Sequence, residues 1–312
     1  MKTRTMYKDI QNWKEYQTFL PLSMRFTAKD IPTEEWWEWK GLDVHLDRMK
    51  NPASPLKIIM LHGGGGNGRL IGALGKIAHS LGYEYVAPDL PGFGLTSTDG
   101  FDFEYSSWVK LVADLAVHEY AKDRKPIVLF GASLGGMLAY NVAACTKEIR
   151  GIIATTLADP RTAQARDALA RNKLWSRLGY FMIRHSPDSF GRINIRAKWI
   201  SKLAMITNDP AFSKVFMRDR YIGNSLINMK FYKSMSLYNP AIEPDRFSGC
   251  PVLLAHPGRD RWTPVEISKQ FFDRLPGAKK LVMLEGAGHF PYEEPGISQL
   301  KQAVAGYLRK IE

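Results

Sequence analysis

Short apolar runs alternate with amphipathic stretches along most of the chain. Runs of Ile, Val and Leu bounded by Gly, Pro or Asp predict buried strands, and apolar positions three and four residues apart predict helices. The predicted strands are 56–61, 83–87, 127–131, 150–157, 251–256 and 280–284, and the predicted helices are 70–81, 105–121 and 137–144. Strands that alternate with helices favour an α/β fold with a doubly wound, mostly parallel sheet covered on both faces.

The first fifty residues have a different pattern. Residues 7–20 carry apolar side chains at helical spacing, which predicts a short amphipathic leader helix. Residues 36–48 alternate polar and apolar side chains on both sides of Gly41, which predicts two strands. The amino-terminal part is therefore expected to consist of a helix followed by a pair of strands.

The alternation of strands and helices is interrupted between 158 and 250. Residues 161–245 hold fifteen Lys and Arg against six Asp and Glu, and their pattern is helical. We predict an inserted helical cap in which some aromatic and Met side chains pack together and others line an apolar pocket. Those side chains are Trp175, Tyr180, Phe181, Met182, Met205, Phe212, Met217, Met229, Phe231 and Tyr232. The expected division is a leader over 1–35, a core over 36–160 and 246–312, and a cap over 161–245.

Composition narrows the class of protein. The 312 residues are 45% hydrophobic and 24% charged, which is typical of a globular chain with one extensive core. No apolar run approaches the roughly 18 residues that a membrane-spanning helix needs, and the first ten residues lack the apolar region of a secretory signal. We therefore expect a cytoplasmic protein with no transmembrane segment.

Charge and cysteine content bear on partners. The net charge of +12 comes without a nucleic-acid-binding motif, so we expect a solvated basic surface and no nucleic-acid partner. An anionic substrate or an acidic membrane surface is the alternative explanation. Cys145 and Cys250 lie in apolar surroundings without metal-ligand spacing, so we expect both to be reduced and buried.

The chemistry is concentrated first in Gly131-x-Ser133-x-Gly135, which follows an apolar strand and precedes a helix. A serine on such a sharp turn adopts a strained backbone conformation, and its neighbours two places away come so close that only small side chains fit. The amino end of the next helix would also bring free N–H groups close to the serine oxygen. The pattern indicates an exposed nucleophile at Ser133.

A serine hydroxyl needs a base to take its proton, and the base needs a carboxylate to hold its tautomer. His289 and Asp260 each follow one of the last two predicted strands, so both are expected at the same sheet edge as Ser133. Asp159, after the preceding strand, is an alternative acid. We favour Asp260 because the pattern Gly258-x-Asp-x-x-x-Pro follows the penultimate strand.

At this point the chain resembles the α/β-hydrolase superfamily, over roughly residues 36–310. The resemblance rests on four motifs in order: His62-Gly-Gly-Gly65, Asp89-x-Pro-Gly-x-Gly94, Gly131-x-Ser133-x-Gly135 and Gly288-His289. It implies a Ser133 nucleophile, a His289 general base and acid, and an Asp260 that orients the histidine. It also implies that the oxyanion would bind the N–H groups of Leu134 and Gly64, with Gly65 as an alternative to Gly64.

The resemblance also implies a reaction. Related dehalogenases and epoxide hydrolases have aspartate in place of Ser133, and the prolyl-iminopeptidase motifs differ from those after His62 and Asp89. What remains is a serine esterase or lysophospholipase-like branch, in which a carboxylesterase or monoacylglycerol-lipase-like enzyme cleaves small esters with an apolar acyl group. No metal or cofactor is expected, and the sequence leaves the oligomeric state open. A lactonase or a carbon–carbon bond hydrolase would share the triad.

One motif permits a different function. Gly63-x-Gly65-x-x-Gly68 follows a strand, opens a helix and precedes Asp89 by about 20 residues, as in a dinucleotide-binding fingerprint. A dinucleotide-dependent oxidoreductase is therefore a remote alternative. It would leave Ser133, Asp260 and His289 without a role.

Overall fold

The computed structural model describes residues 4–98, 102–187, 191 and 193–312, except the Trp175 side chain. Its strands are β1 (Thr33–Trp39), β2 (Leu42–Met49), β3 (Lys57–Leu61), β4 (Glu84–Pro88), β5 (Ile127–Gly131), β6 (Ile149–Ala154), β7 (Asn194–Arg196), β8 (Leu226–Asn228), β9 (Val252–Pro257) and β10 (Lys279–Leu284). Eight strands form one sheet in the order β1-β2-β4-β3-β5-β6-β9-β10, and β7 pairs with β8 in a separate ribbon. The six strands from β4 to β10 in this sheet pair in parallel, and β1 and β2 join antiparallel at one edge. The predicted doubly wound α/β fold is confirmed.

Helices cover both faces of the sheet. They are α1 (Gln11–Phe19), α2 (Gly68–His79), α3 (Tyr105–Asp123), α4 (Leu134–Ala143), α5 (Ala163–Leu169), α6 (Lys173–His185), α7 (Ala197–Ile200), α8 (Pro210–Phe216), α9 (Met229–Leu237), α10 (Val265–Phe272) and α11 (Gly296–Ile311). Neighbouring side chains of a strand face opposite sides. Ile58 of β3 belongs to the core beneath α2 and α11, whereas Ile59 belongs to the core beneath α3 and α4. Two apolar layers thus fix the sheet that carries the site.

The predicted leader helix packs against the rest of the molecule. Trp13 and Tyr16 of α1 are buried, and the Tyr16 ring lies 5.3 Å from that of Phe212 in α8. The Tyr7 hydroxyl donates a hydrogen bond to Asp89 at 2.8 Å. The strand pair also begins at Thr33, inside the stretch expected to be leader. Residues 7–32 therefore extend the apolar core beneath α2.

Residues 161–245 connect β6 to β9 through α5 to α9 and the β7–β8 ribbon, so they are less purely helical than predicted. The ion pair between Arg161 and Glu243, 2.6 Å apart, joins the two ends of the segment. The aromatic and Met side chains singled out in the sequence divide only partly as expected, because several are exposed at the surface and do not line the cavity. Phe212, Met229 and Phe231 are buried, whereas Phe181, Met182 and Met205 are exposed.

The structure tests two expectations, one about membrane-spanning helices and one about the burial of the two cysteines. Within the described ranges, no helix combines the length and the hydropathy required to span a bilayer. The expectation of two buried cysteines is wrong for Cys145, which is exposed after the end of α4. Cys250 is half-buried, and its burial raises the pKa of the thiol to about 12.

Candidate active site

Ser133 occupies a strained turn between β5 and α4. Its φ of 56° and ψ of −127° lie in a region that residues other than glycine rarely adopt. A Cβ at Gly131 would come within 2.0 Å of the Gly135 carbonyl oxygen, and one at Gly135 within 2.2 Å of the Leu61 oxygen. Both glycines are therefore required by close backbone packing, as the sequence predicts.

The loops after β5, β9 and β10 bring Ser133, Asp260 and His289 together. His289 Nε2 lies 2.8 Å from Ser133 Oγ, and His289 Nδ1 lies 2.8 Å from Asp260 Oδ2. The β9 and β10 loops are tied by a backbone hydrogen bond from Arg259 N–H to the Ala287 carbonyl, at 2.9 Å. The arrangement can pass a proton from the serine to the imidazole while a carboxylate faces the other ring nitrogen.

The Asp260 carboxylate is held in its charged form although its side chain is only 1% exposed. Burial raises its pKa, but His289 and the hydrogen bonds from the N–H groups of Trp262 and Thr263, both at 2.8 Å, outweigh burial and lower the pKa overall. A charged carboxylate beside Nδ1 favours the tautomer in which Nε2 accepts the serine proton.

Asp159, the alternative acid, has other partners. Its carboxylate bonds to the Arg161 guanidinium at 2.8 Å and accepts the Arg161 backbone N–H at 2.9 Å. The described contacts of His289 Nδ1 are with Asp260 instead. The geometry thus favours Asp260 over Asp159.

Backbone N–H groups are available beside Ser133. Gly64 and Leu134 line the same cavity as Ser133, and neither N–H has an acceptor among the described residues. His62 orders the glycine turn, since its Nδ1 lies 2.8 Å from the Gly63 carbonyl and its Nε2 accepts the Leu90 N–H at 3.0 Å. Burial lowers the His62 pKa, which suits this neutral arrangement.

A cavity that is partly open to solvent extends from Ser133 between the sheet edge and segment 161–245. Most of its walls are apolar. The apolar side chains of the segment that line it are Leu169, Ala170, Ala197, Ile200, Leu203, Ile227, Phe231 and Met235. The cavity can therefore hold an apolar group next to the serine.

Trp262 is the site residue that sequence reasoning missed. Its ring lies 4.5 Å from the His289 ring, and its indole N–H donates to the Leu169 carbonyl at 3.2 Å. It thus packs on the histidine and also contacts the segment that covers the cavity. Its position two residues after Asp260 was the available signal, but an aromatic residue there is equally typical of a core.

The dinucleotide interpretation does not fit the position of Asp89. Its side chain is fully buried and accepts the N–H groups of Gly68 at 2.6 Å and Leu95 at 2.7 Å. A ribose would need that carboxylate at the surface. Gly68 also packs so closely on the Ala87 carbonyl that a Cβ would lie 2.5 Å from its oxygen. Gly68 is therefore required by close packing of the turn against β4.

Comparison with known proteins agrees with this fold. The model of the alpha/beta hydrolase family matches residues 58–297. The chain belongs to the α/β-hydrolase family. Among solved structures, this α/β hydrolase is similar to a soluble variant of monoglyceride lipase from Saccharomyces cerevisiae in complex with a substrate analogue, at TM-score 0.72 and 19% identity over 93% of this chain and 97% of that one.

Two further proteins are similar to this hydrolase. Monoacylglycerol lipase from Paleococcus ferrophilus superposes with TM-score 0.68 at 20% identity, over 86% of this chain and 99% of that one. A probable protein phosphatase methylesterase 1 from Caenorhabditis elegans is 27% identical over 161 residues, which are 51% of this chain. The matched region spans 42% of that relative. The structural likenesses support the fold.

Proposed function

We propose that this hydrolase cleaves carboxylic esters through a covalent acyl-enzyme formed on Ser133. The observation that carries the proposal is the pair of 2.8 Å contacts that link Ser133 Oγ to His289 and His289 to Asp260. A strained serine, a base within hydrogen-bond reach and a buried carboxylate are the parts that acyl transfer through serine needs.

In the proposed mechanism, His289 Nε2 takes the proton from Ser133 Oγ as the oxygen attacks the ester carbonyl. The N–H groups of Leu134 and Gly64 stabilise the negative charge that develops on the carbonyl oxygen. His289 then gives its proton to the departing alcohol, which leaves the acyl group on Ser133. A water molecule, deprotonated by His289, releases the acid and restores the serine.

Segment 161–245 is the proposed cap, and it would select the acyl group. The apolar walls that the segment contributes to the cavity support an apolar acyl chain, each buried methylene contributing about 0.8 kcal/mol. The two similar lipases are named for glyceride esters and the relative for a methyl ester. These names support ester substrates, and the apolar cavity favours a carboxylesterase or monoacylglycerol-lipase-like preference.

A series of p-nitrophenyl esters of increasing acyl length tests the proposal. We expect hydrolysis by the wild type and a loss of about 10⁶-fold in kcat for Ser133→Ala, because the triad acts as a unit. Ser201→Ala is the matched control, since Ser201 lines the same cavity and its hydroxyl bonds only to the Leu169 carbonyl among described groups. Equal loss in both variants, or full activity of Ser133→Ala, would contradict the proposal.

A further inference from the structure

The cavity beside Ser133 has polar side chains on the side formed by the proposed cap. Arg166 of α5 is the only charged side chain among its described lining residues, which include no Asp or Glu. Tyr232 and Ser236 of α9, one helical turn apart, line the same cavity. We call these three residues the polar wall.

The Arg166 guanidinium is fixed in place without a carboxylate. Its Nη1 donates to the carbonyl oxygens of Pro160 at 3.1 Å and Arg161 at 2.6 Å, and its carbon atom Cζ lies 3.6 Å from the centre of the Tyr180 ring. In the described part of the chain, no acceptor is found for its Nε and Nη2 groups.

The acidic side chains beside Arg166 along the chain are already paired. Asp159 binds Arg161, and Asp167 binds Arg177 at 3.0 Å. Among the residues that the structure describes, the charge of Arg166 therefore has no counter-charge, and it lies beside a largely apolar cavity, where an anion would be attracted more strongly than in water.

Ser236 supplies an independent sign of a missing ligand. The residue is 2% exposed, and its Oγ has no hydrogen-bond partner among the described groups. A buried hydroxyl without a partner is costly, so a polar atom of a bound molecule would stabilise it. Burial raises the pKa of the neighbouring Tyr232, while the charge of Arg166 opposes that rise, so the guanidinium acts on this wall.

We propose that the polar wall binds a carboxylate of the substrate, so that the preferred esters carry a free carboxylate in addition to the ester bond. Arg166 would donate its unused N–H groups to that carboxylate, and the Ser236 hydroxyl would donate as well. This inference rests on the proposed ester hydrolysis, and it adds a group at the far end of the acyl chain.

The test compares two substrates of equal length. Mono-p-nitrophenyl adipate carries a terminal carboxylate, and the p-nitrophenyl ester of adipic acid monoamide carries a neutral amide in its place. We expect the wild type to prefer the carboxylate by 10-fold or more in kcat/KM, because hydrogen bonds to charged groups are the strong ones. Arg166→Gln should remove this preference, because it lowers kcat/KM for the carboxylate substrate far more than for the amide substrate.

Three further variants sharpen the result. Arg166→Lys keeps a charge and should retain part of the preference, and Ser236→Ala should reduce it. Arg184→Gln removes an equal charge from an exposed position of α6 outside the cavity lining and should retain it in full. The preference should also persist at 0.5 M NaCl, whereas long-range attraction by the basic surface would be screened. Equal rates on both wild-type substrates, or a preference that survives Arg166→Gln, would overturn the inference.

Binding separates this inference from the proposed function. Calorimetry with adipate and Ser133→Ala protein measures the polar wall without turnover, and we expect binding at least 10-fold weaker when Arg166→Gln is added. Binding that depends on Arg166, without hydrolysis of either ester by the wild type, would keep the carboxylate site and overturn the esterase. Hydrolysis without such binding would overturn the carboxylate site alone.

Discussion

At the scale of residues, the site depends on positions where a side chain cannot fit. Gly131 and Gly135 pack backbone against backbone. A Cβ built on Gly63 would lie 2.8 Å from the Ser133 Cβ, so a side chain does not fit there either. The turn thereby holds Ser133 in a conformation that the serine would otherwise avoid. The strained conformation of Ser133 is supported by packing on both sides of the turn.

Gly131→Ala tests this account of the turn. Since the added methyl would meet a carbonyl oxygen at 2.0 Å, we expect a loss of more than about 3 kcal/mol in the free energy of unfolding, measured with urea. Gly306→Ala is the matched control. Gly306 lies in α11 with open space around it, so alanine should stabilise by about 0.5–1 kcal/mol. Equal effects of the two changes would contradict close packing at Gly131.

The choice of acid is a second prediction at this scale. Asp260→Asn should lower kcat by about 10⁴-fold, because an amide beside His289 Nδ1 favours the wrong tautomer. Asp159→Asn should leave kcat within a few-fold, since Asp159 is bonded to Arg161. Measuring kcat for ester hydrolysis by the two variants identifies which carboxylate orients His289. A larger loss in Asp159→Asn than in Asp260→Asn would assign that role to Asp159.

Some of these residues were predictable and others were not. Ser133, Asp260 and His289 each follow a strand in a short motif, and the carboxyl ends of parallel strands meet at one edge. Trp262 comes from packing between the core and segment 161–245, and the polar wall brings together α5 and α9 within that segment. No spacing in the sequence distinguishes Trp262 or Ser236 from an ordinary core or helix residue.

At the scale of elements, a buried charge network joins the sheet edge to the amino-terminal segment. His45 of β2 lies 3.0 Å from Glu34 of β1 and 3.0 Å from Asp89 after β4. Arg69 of α2 pairs with Asp47 of β2 and, at 3.2 Å, with Glu34. The network adds buried charges to the strand pair that alternation in the sequence predicts.

This network predicts a dependence of stability on pH. Burial lowers the pKa of His45, but Asp89 and Glu34 outweigh burial and raise it to about 10. A raised histidine pKa gives stability that is complete below the unfolded value of about 6.5 and is lost as pH rises towards 10. His45→Gln should therefore cost most at pH 6 and less at pH 9 and 10, measured by urea unfolding. Burial also raises the pKa of Asp47 to about 6, and this residue is present in both the wild type and His45→Gln. A cost that grows with pH would contradict a charged His45.

Strand ends also show what the sequence leaves open. Residues 150–157 were expected as one strand, but β6 ends at Ala154. After it, Thr155 donates its N–H to the Gly131 carbonyl, and Leu157 donates to Ser268 Oγ at 3.0 Å. The Thr155 hydroxyl accepts the Ser133 N–H at 3.2 Å, so the departure from strand geometry supports the turn that holds Ser133. An apolar run alone does not indicate where such contacts end a strand.

At the scale of the whole molecule, the cavity lies where the carboxyl edge of the sheet meets residues 161–245. Phe212 of α8 packs against Tyr16 and Phe19 of α1 and shares the core beneath α2. The proposed cap is therefore not a separate layer, because it packs against α1 and shares the core beneath α2. Contacts between residues nearly two hundred positions apart are set by tertiary packing, and sequence periodicity does not predict them.

The shape of this cavity predicts a limit on acyl length. Ala170→Phe should fill part of the cavity and shift the best p-nitrophenyl ester to a shorter chain, because each methylene that loses its apolar contact costs about 0.8 kcal/mol. Ala303→Phe in α11, outside the cavity lining, is the control and should keep the wild-type profile. An unchanged profile in Ala170→Phe would place the acyl chain elsewhere.

The central claim is that Ser133 becomes covalently acylated. The most direct measurement is the intact mass of the protein after reaction with a p-nitrophenyl phosphonate ester, followed by peptide mapping of the adduct. We predict one phosphonyl group per chain on Ser133 of the wild type, and none on Ser133→Ala. An adduct on another residue, or an equal adduct on Ser133→Ala, would contradict the account.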